Sequence, residues 1–164
     1  MQLLQPADRS HLVLDAEITD ALLTASRALV AVAARSLSSV VDDVTLPQYR
    51  ALVVLASRGP QTVGELAGAV AVHDSTATRL CDRLVAKKLV HRAVSRDNRR
   101  ETLIRLTAAG RLIVDRVTIA RRGEIERIVA KIPVSLRQPT VEALAAFSDA
   151  AGELADQSWA LGWS

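Results

Sequence analysis

The feature that most constrains this chain is a change of hydrophobic period at Leu89. Across residues 73–88, HDSTATRLCDRLVAKK, the apolar residues Ala77, Leu80, Cys81, Leu84 and Val85 recur at three- and four-residue spacing. That is the stripe of an amphipathic helix. From Leu89 the period drops to near two. LVHRAV and TLIRLT are short β-branched runs, the second with Thr102, Ile104 and Leu106 on one face, and RDNRR between them is a polar turn. Two such runs around a polar tip predict a β-hairpin.

The opposite face of the predicted helix carries Ser75, Thr76, Thr78, Arg79, Asp82, Arg83 and Lys87. Small hydroxyls bond base edges or phosphates, and arginine matches guanine or a phosphate bidentately. Alone, such a helix is more often an ordinary surface helix with a solvated face. The hairpin changes this, because Arg92, Arg96, Arg99, Arg100 and Arg105 lie on or beside it. Guanidinium groups at a projecting tip can enter a minor groove or clamp phosphates. Helix and hairpin in this order predict a winged helix-turn-helix.

Charge agrees with that placement. The chain has a net charge of +3, but residues 46–107 hold eleven basic against five acidic side chains, and the remainder ten against thirteen. Positive charge concentrated in one segment is the footprint of a duplex-DNA binder, whose affinity comes largely from phosphate neutralisation. The chain has one Tyr, one Phe and two Trp, too few stacking platforms for a single-stranded nucleic-acid module. At 164 residues it is one domain, or a domain with an appendage.

In chain order, a short tail to about Ser10 precedes a long repeat at Leu14, Ile18, Leu22, Ala25, Leu29, Val32, Ser36 and Val40. This predicts a helix ending near Asp42 and Asp43, too long to be covered by a small domain, so part of its stripe is expected to pack on another chain. Leu46-Pro47 opens a second helix with proline at the first position, and Arg58-Gly59-Pro60 stops it. Thr62-Val63-Gly64-Glu65 has the form of a capping box. Gly64 and Gly68 would allow close helix approach, or simply sit on the surface. Asp74 is the expected N-cap of the following helix. Thr107 caps a long helix to about Ile132, with Leu112, Ile113, Val117, Ala120, Ile125, Ile128 and Val129 as its stripe. A last helix is expected over residues 140–158, ending near Trp159 and Trp163.

The sequence resembles the MarR family of bacterial transcription regulators over nearly its whole length. The residues that carry the resemblance are LPQYRALVVLASRGPQTVGELAGAVAV, STATRLCDRLVAKKLVHR and RDNRRETLIRLTAAG. The implied fold is mainly α, a winged helix-turn-helix core with a two-stranded β wing, flanked by N- and C-terminal dimerisation helices. The corresponding division is residues 1–45, 46–107 and 108–164. The resemblance implies a homodimer held by the first, fifth and sixth helices. It also implies a pseudo-palindromic double-stranded operator, repression of nearby genes, and release by a small anionic or phenolic ligand or by an oxidant. Ser75, Thr76, Thr78 and Arg79 match groove-facing positions, and His73 and Arg83 flank them. Arg100 matches the wing arginine, with Arg99 before it and Arg96 beside it. The chain departs from the family pattern at Asn98, where an acid usually holds the wing arginine. His73 replaces a common serine, Asp74 a common proline and Lys88 a frequent glycine.

A dimer also follows from physics, because one recognition helix reads too few base pairs to discriminate in a genome, and a two-fold pair places half-sites about 10 base pairs apart. His11, His73 and His91 are far apart in sequence, and none lies near Cys81 at a metal-binding spacing, so no metal or cofactor is expected. No nucleotide loop or nucleophile elbow is present, and the chain is not expected to be an enzyme. Cys81 sits on the apolar stripe, where a thiol behaves as a small hydrophobe rather than a sensor. The resemblance implies that any effector pocket lies between the helical dimerisation region and the winged domain, a junction of the kind where apolar pockets with a few polar groups form, where arginine or histidine could hold a carboxylate. No apolar run approaches the ~20 residues of a membrane span, and no signal peptide is read at the N-terminus. The expected location is the cytoplasm, in keeping with a single cysteine. The alternative reading is a winged-helix protein-interaction module without specific DNA binding, using the basic hairpin as its contact surface.

Overall fold

The computed structural model describes residues 6–95, 98 and 101–153, with side chains from Val13 onward. The element order is α1 (Pro6–Ser38), α2 (Leu46–Arg58), α3 (Val63–Ala69), α4 (Asp74–Ala86), β1 (Val90–Val94), β2 (Thr102–Leu106), α5 (Ala108–Val129) and α6 (Val134–Ala150). The strands pair antiparallel, Val90 opposite Leu106 and Val94 opposite Thr102. Gln61 adds an isolated bridge to Ile104, so the loop before α3 extends the edge of the hairpin.

The helix starts have local causes. Thr45 and Gln48 close a reciprocal capping box on α2, and Thr62 and Glu65 close another on α3. The first was not read from sequence, which instead took Pro47 as the opening residue; Leu46 precedes it in the helix. Because the Thr62 backbone N–H and hydroxyl bond to it, the Glu65 carboxyl is held below the usual range. Gly59, at φ 79°, ends α2. The N-cap of α4 is His73 rather than Asp74; Asp74 occupies the first turn, where a negative charge meets the positive end of the helix dipole. Gly64 and Gly68 have open space around them and mark surface rather than close packing.

Leu52, Leu66, Leu84, Val90, Ile104, Val114 and Val117 are fully buried together. They draw α2, α3, α4, the hairpin and the first half of α5 into one core. Thr107 fastens the joint between hairpin and α5. Its hydroxyl accepts from the Gly110 N–H at 3.0 Å and lies 2.8 Å and 3.0 Å from the Lys88 and Leu89 carbonyls it can donate to. Lys88 reaches this turn with φ at 59°, a left-handed conformation that glycine adopts without the Cβ cost.

The flanking helices differ from the sequence expectation. α1 starts at Pro6 and stops at Ser38, and among its described side chains, from Val13 onward, only Val32, Ser36 and Leu37 are buried. Leu14, Ile18 and Leu29 of the expected stripe are about half exposed. In α5 the buried positions are Gly110, Val114 and Val117, whereas Leu112, Ile128 and Val129 are exposed, because α1 and α2 cover only one side of that helix. α6 begins immediately after Pro133, with Pro139 inside it, and ends at Ala150, short of residue 158. Pro139, the sixth residue of α6, removes the bond to the Ser135 carbonyl and crowds that carbonyl with its ring, at an exposed site where water can meet the freed oxygen. Trp159 and Trp163 lie outside the described residues. The sequence also shows more apolar length than the run-based reading found. Val13–Ser38, with mean hydropathy 1.2, is long and apolar enough by composition to cross a membrane.

A Cβ on Gly110 would stand 2.2 Å from the Leu89 carbonyl oxygen and 2.8 Å from Leu106 Cδ1. Backbone cannot yield as a flexible side chain can. Gly110→Ala is therefore expected to lower unfolding free energy by about 3 kcal/mol, read by denaturant melts; an unchanged midpoint would contradict this packing.

Candidate nucleic-acid interface

Burial of Ala77, Leu80, Cys81 and Leu84 fixes the rotation of α4. His73, Ser75, Thr76, Thr78, Arg79 and Arg83 are consequently all exposed. Thr76, Arg79 and Arg83 line a shallow groove with Thr45, Pro47 and Gln48 of the α2 start. Among the described residues, Arg79 and Arg83 form no ion pair, and no hydrogen bond is made by the side chains of His73, Ser75, Thr76, Arg79 or Arg83. Thr78 is different: its hydroxyl donates to the Asp74 carbonyl at 2.9 Å, leaving its oxygen to accept.

Two neighbouring cations on the same surface are committed. Arg92 on β1 donates to Asp82 on α4 at 2.7 Å, which ties the hairpin to α4. Lys87 donates to the carboxylate and the carbonyl of Asp43; this holds the Asp43 carboxyl below its usual range and joins the end of α4 to the α1–α2 loop. Neither pairing was read from sequence, since each partner comes from a separate element. At the hairpin end, Ser95 N–H donates to the Glu101 carbonyl, Glu101 N–H to the Asn98 carbonyl, and Asn98 N–H to Ser95 Oγ. Arg96, Arg99 and Arg100, together with Asp97, lie outside the described residues.

A second feature lies away from α4. A cleft of about 330 Å³ runs between α2 and α5. Arg50, Arg58, Arg121 and Arg122 line it, with Tyr49 and Val53 among its apolar walls. The Arg121 guanidinium stacks 5.4 Å from the Tyr49 ring centroid, a cation–π distance. Its Nε is buried with no hydrogen-bond partner among the described residues. An unmet buried donor is costly, so a site built this way favours an acceptor. Its cations are arginines, and no histidine is among the described residues that line it. The signal in the sequence was the pair Arg121-Arg122 breaking the apolar pattern of α5.

Cys81 is fully buried on the core side of α4. Burial pushes its thiol up, opposed by the Arg92 charge. Among the described residues no group of three His, Cys, Asp or Glu side chains could hold a metal ion.

Known proteins share this architecture. The MarR family model matches residues 44–102. The structure of RV1404 from Mycobacterium tuberculosis is 42% identical, with 94% of this chain and 99% of that one covered at a TM-score of 0.81. A MarR family protein from Bacillus stearothermophilus shares the fold at 24% identity, covering 85% and 96% of the two chains with a TM-score of 0.76. The uncharacterized HTH-type transcriptional regulator YsmB of Bacillus subtilis is 37% identical over 84 residues. That match spans 51% of this chain and 57% of YsmB.

A buried thiol with a raised pKa holds little thiolate at neutral pH. The native protein should react with a maleimide at least about 100-fold more slowly than the chain in denaturant; comparable rates would contradict the core placement of Cys81.

Proposed function

The chain belongs to the MarR family of transcriptional regulators, and from that premise we propose that it works as a homodimeric, sequence-specific repressor in the cytoplasm. In this reading residues 46–107 form the DNA-binding unit. Residues 1–45 and 108–164 supply the dimer contacts. The observation that carries it is the Thr76–Arg79–Arg83 face of α4, exposed, unpaired among the described residues and lining a groove with the start of α2. His73, Ser75, Thr76, Thr78, Arg79 and Arg83 would meet the major groove. Arg96, Arg99 and Arg100 would reach phosphates or the adjacent minor groove from the wing.

The dimer reading is supported by apolar surface that this chain leaves open. Val13, Leu14, Ile18 and Leu23 on α1 are all exposed, as are Val134, Leu136, Val141, Leu144 and Phe147 on α6. Residues this apolar at both ends of the chain suit a second copy. The same cover accounts for the composition of Val13–Ser38 without a lipid bilayer.

The cleft between α2 and α5 is the proposed effector site. Stacked Arg121 with an unmet Nε–H, beside Tyr49, suits a small anion with an apolar or aromatic body. Bound there, it would bridge the DNA-binding unit and the long helix α5, and so alter the spacing of two recognition helices.

DNA affinity measured against salt tests the central assignment. Counterion release predicts a linear fall of log K with log salt, and Arg100→Ala should weaken every duplex and reduce the slope by about one. Arg79→Ala should instead relax preference among sequences by about 1–3 kcal/mol. A salt-independent interaction would point to the protein-interaction alternative, and an unchanged affinity for Arg100→Ala would remove the wing from the interface.

A further inference from the structure

The cleft holds an acid that belongs to neither of its walls. Glu153, just beyond α6, lines the cavity and accepts a hydrogen bond from Arg50 Nη2 through its Oε1. The only other acid among the described residues of the lining, Glu126, is on α5 itself.

Glu153 is placed by a built turn. Gly152 N–H donates to the Asp149 carbonyl and Glu153 N–H to the Ser148 carbonyl, both at 3.0 Å, and Gly152 takes φ 69°. This pair of bonds through a left-handed glycine is the Schellman termination of a helix. It fixes the backbone of the residue after the glycine, so the Glu153 carboxylate is delivered to Arg50 by hydrogen-bonded geometry.

We propose that Glu153 is a built-in carboxylate occupant of the cleft, neutralising Arg50 at its mouth, which an anionic effector must displace. The inference rests on reading the cleft as an anion site. Both partners of the pair are 44% exposed, and an exposed ion pair is weak, so an incoming carboxylate can replace it. Displacement has a consequence beyond the cleft. α6 buries no residue within the chain, and among the described residues Arg50–Glu153 is the only ion pair that joins the segment after α5 to the three-helix core. An effector that takes Arg50 therefore unties α6 from α2.

The test is calorimetric titration of the full chain with benzoate at fixed ionic strength, comparing wild type, Glu153→Gln and Gly152→Ala, each alone and combined with Arg121→Met. Glu153→Gln should bind benzoate about fivefold more tightly, since a competing charge is removed. Gly152→Ala keeps the charge but opposes the turn, and should tighten binding at least about twofold. Arg121→Met should abolish binding in all backgrounds. Equal affinity of wild type and Glu153→Gln, with binding still dependent on Arg121, would overturn the occupant while leaving the cleft as an anion site. A tighter Glu153→Gln with an unchanged Gly152→Ala would reduce Glu153 to a diffuse charge and equally overturn it. No Arg121-dependent binding up to about 50 mM benzoate would overturn both readings.

Discussion

Everything this molecule presents outward depends on one buried stripe. Ala77, Leu80, Cys81 and Leu84 are pressed into the core beside Leu52, Leu66, Val90 and Ile104. Each large side chain so buried contributes about 1.5–3 kcal/mol relative to exposure. α4 therefore cannot roll about its axis without exposing that stripe, and Thr76, Arg79 and Arg83 are held outward as a consequence. The Arg92–Asp82 pair and the Thr107 hydroxyl then set the hairpin against this fixed helix.

A second level of organisation joins this core to the long helices. Arg35 donates to Glu124 through both Nε and Nη2, at 3.0 Å and 2.9 Å, and so links α1 to α5. Buried Ser36 lies 3.5 Å from the other oxygen of Glu124. Lys87 with Asp43, and Arg50 with Glu153, tie residues 46–107 to the segments on either side. These contacts are polar and partly exposed, hence individually weak. The apolar core, by contrast, holds α4 in place through buried side chains.

Local signals were legible where one segment carries the whole cause. The Thr62–Glu65 capping box, the Gly59 stop, the Thr107 cap and the period change at Leu89 all lie within a few residues of the element they define, and the winged core was read from them. The α4 surface was legible too, because its buried and exposed faces follow from one helical period. Legibility failed where the cause is distant. The stripe expected for α5 included Leu112 and Ile128, which stay exposed because none of the described residues covers that side. The end of α6 depends on a turn at Gly152 that apolar periodicity does not register. Tyr49 and Arg121 are 72 positions apart in sequence, and only the packing of α5 on α2 brings them together.

The central claim is that two copies of this chain read one duplex through paired α4 helices. The most direct measurement is selection of bound duplexes from a random pool by the purified protein at physiological salt. Two α4 helices related by a two-fold axis predict enrichment of an inverted repeat with half-sites about 10 base pairs apart, one helical turn. Enrichment of a single unrepeated site, or of no sequence by ligand-free refolded protein, would contradict it.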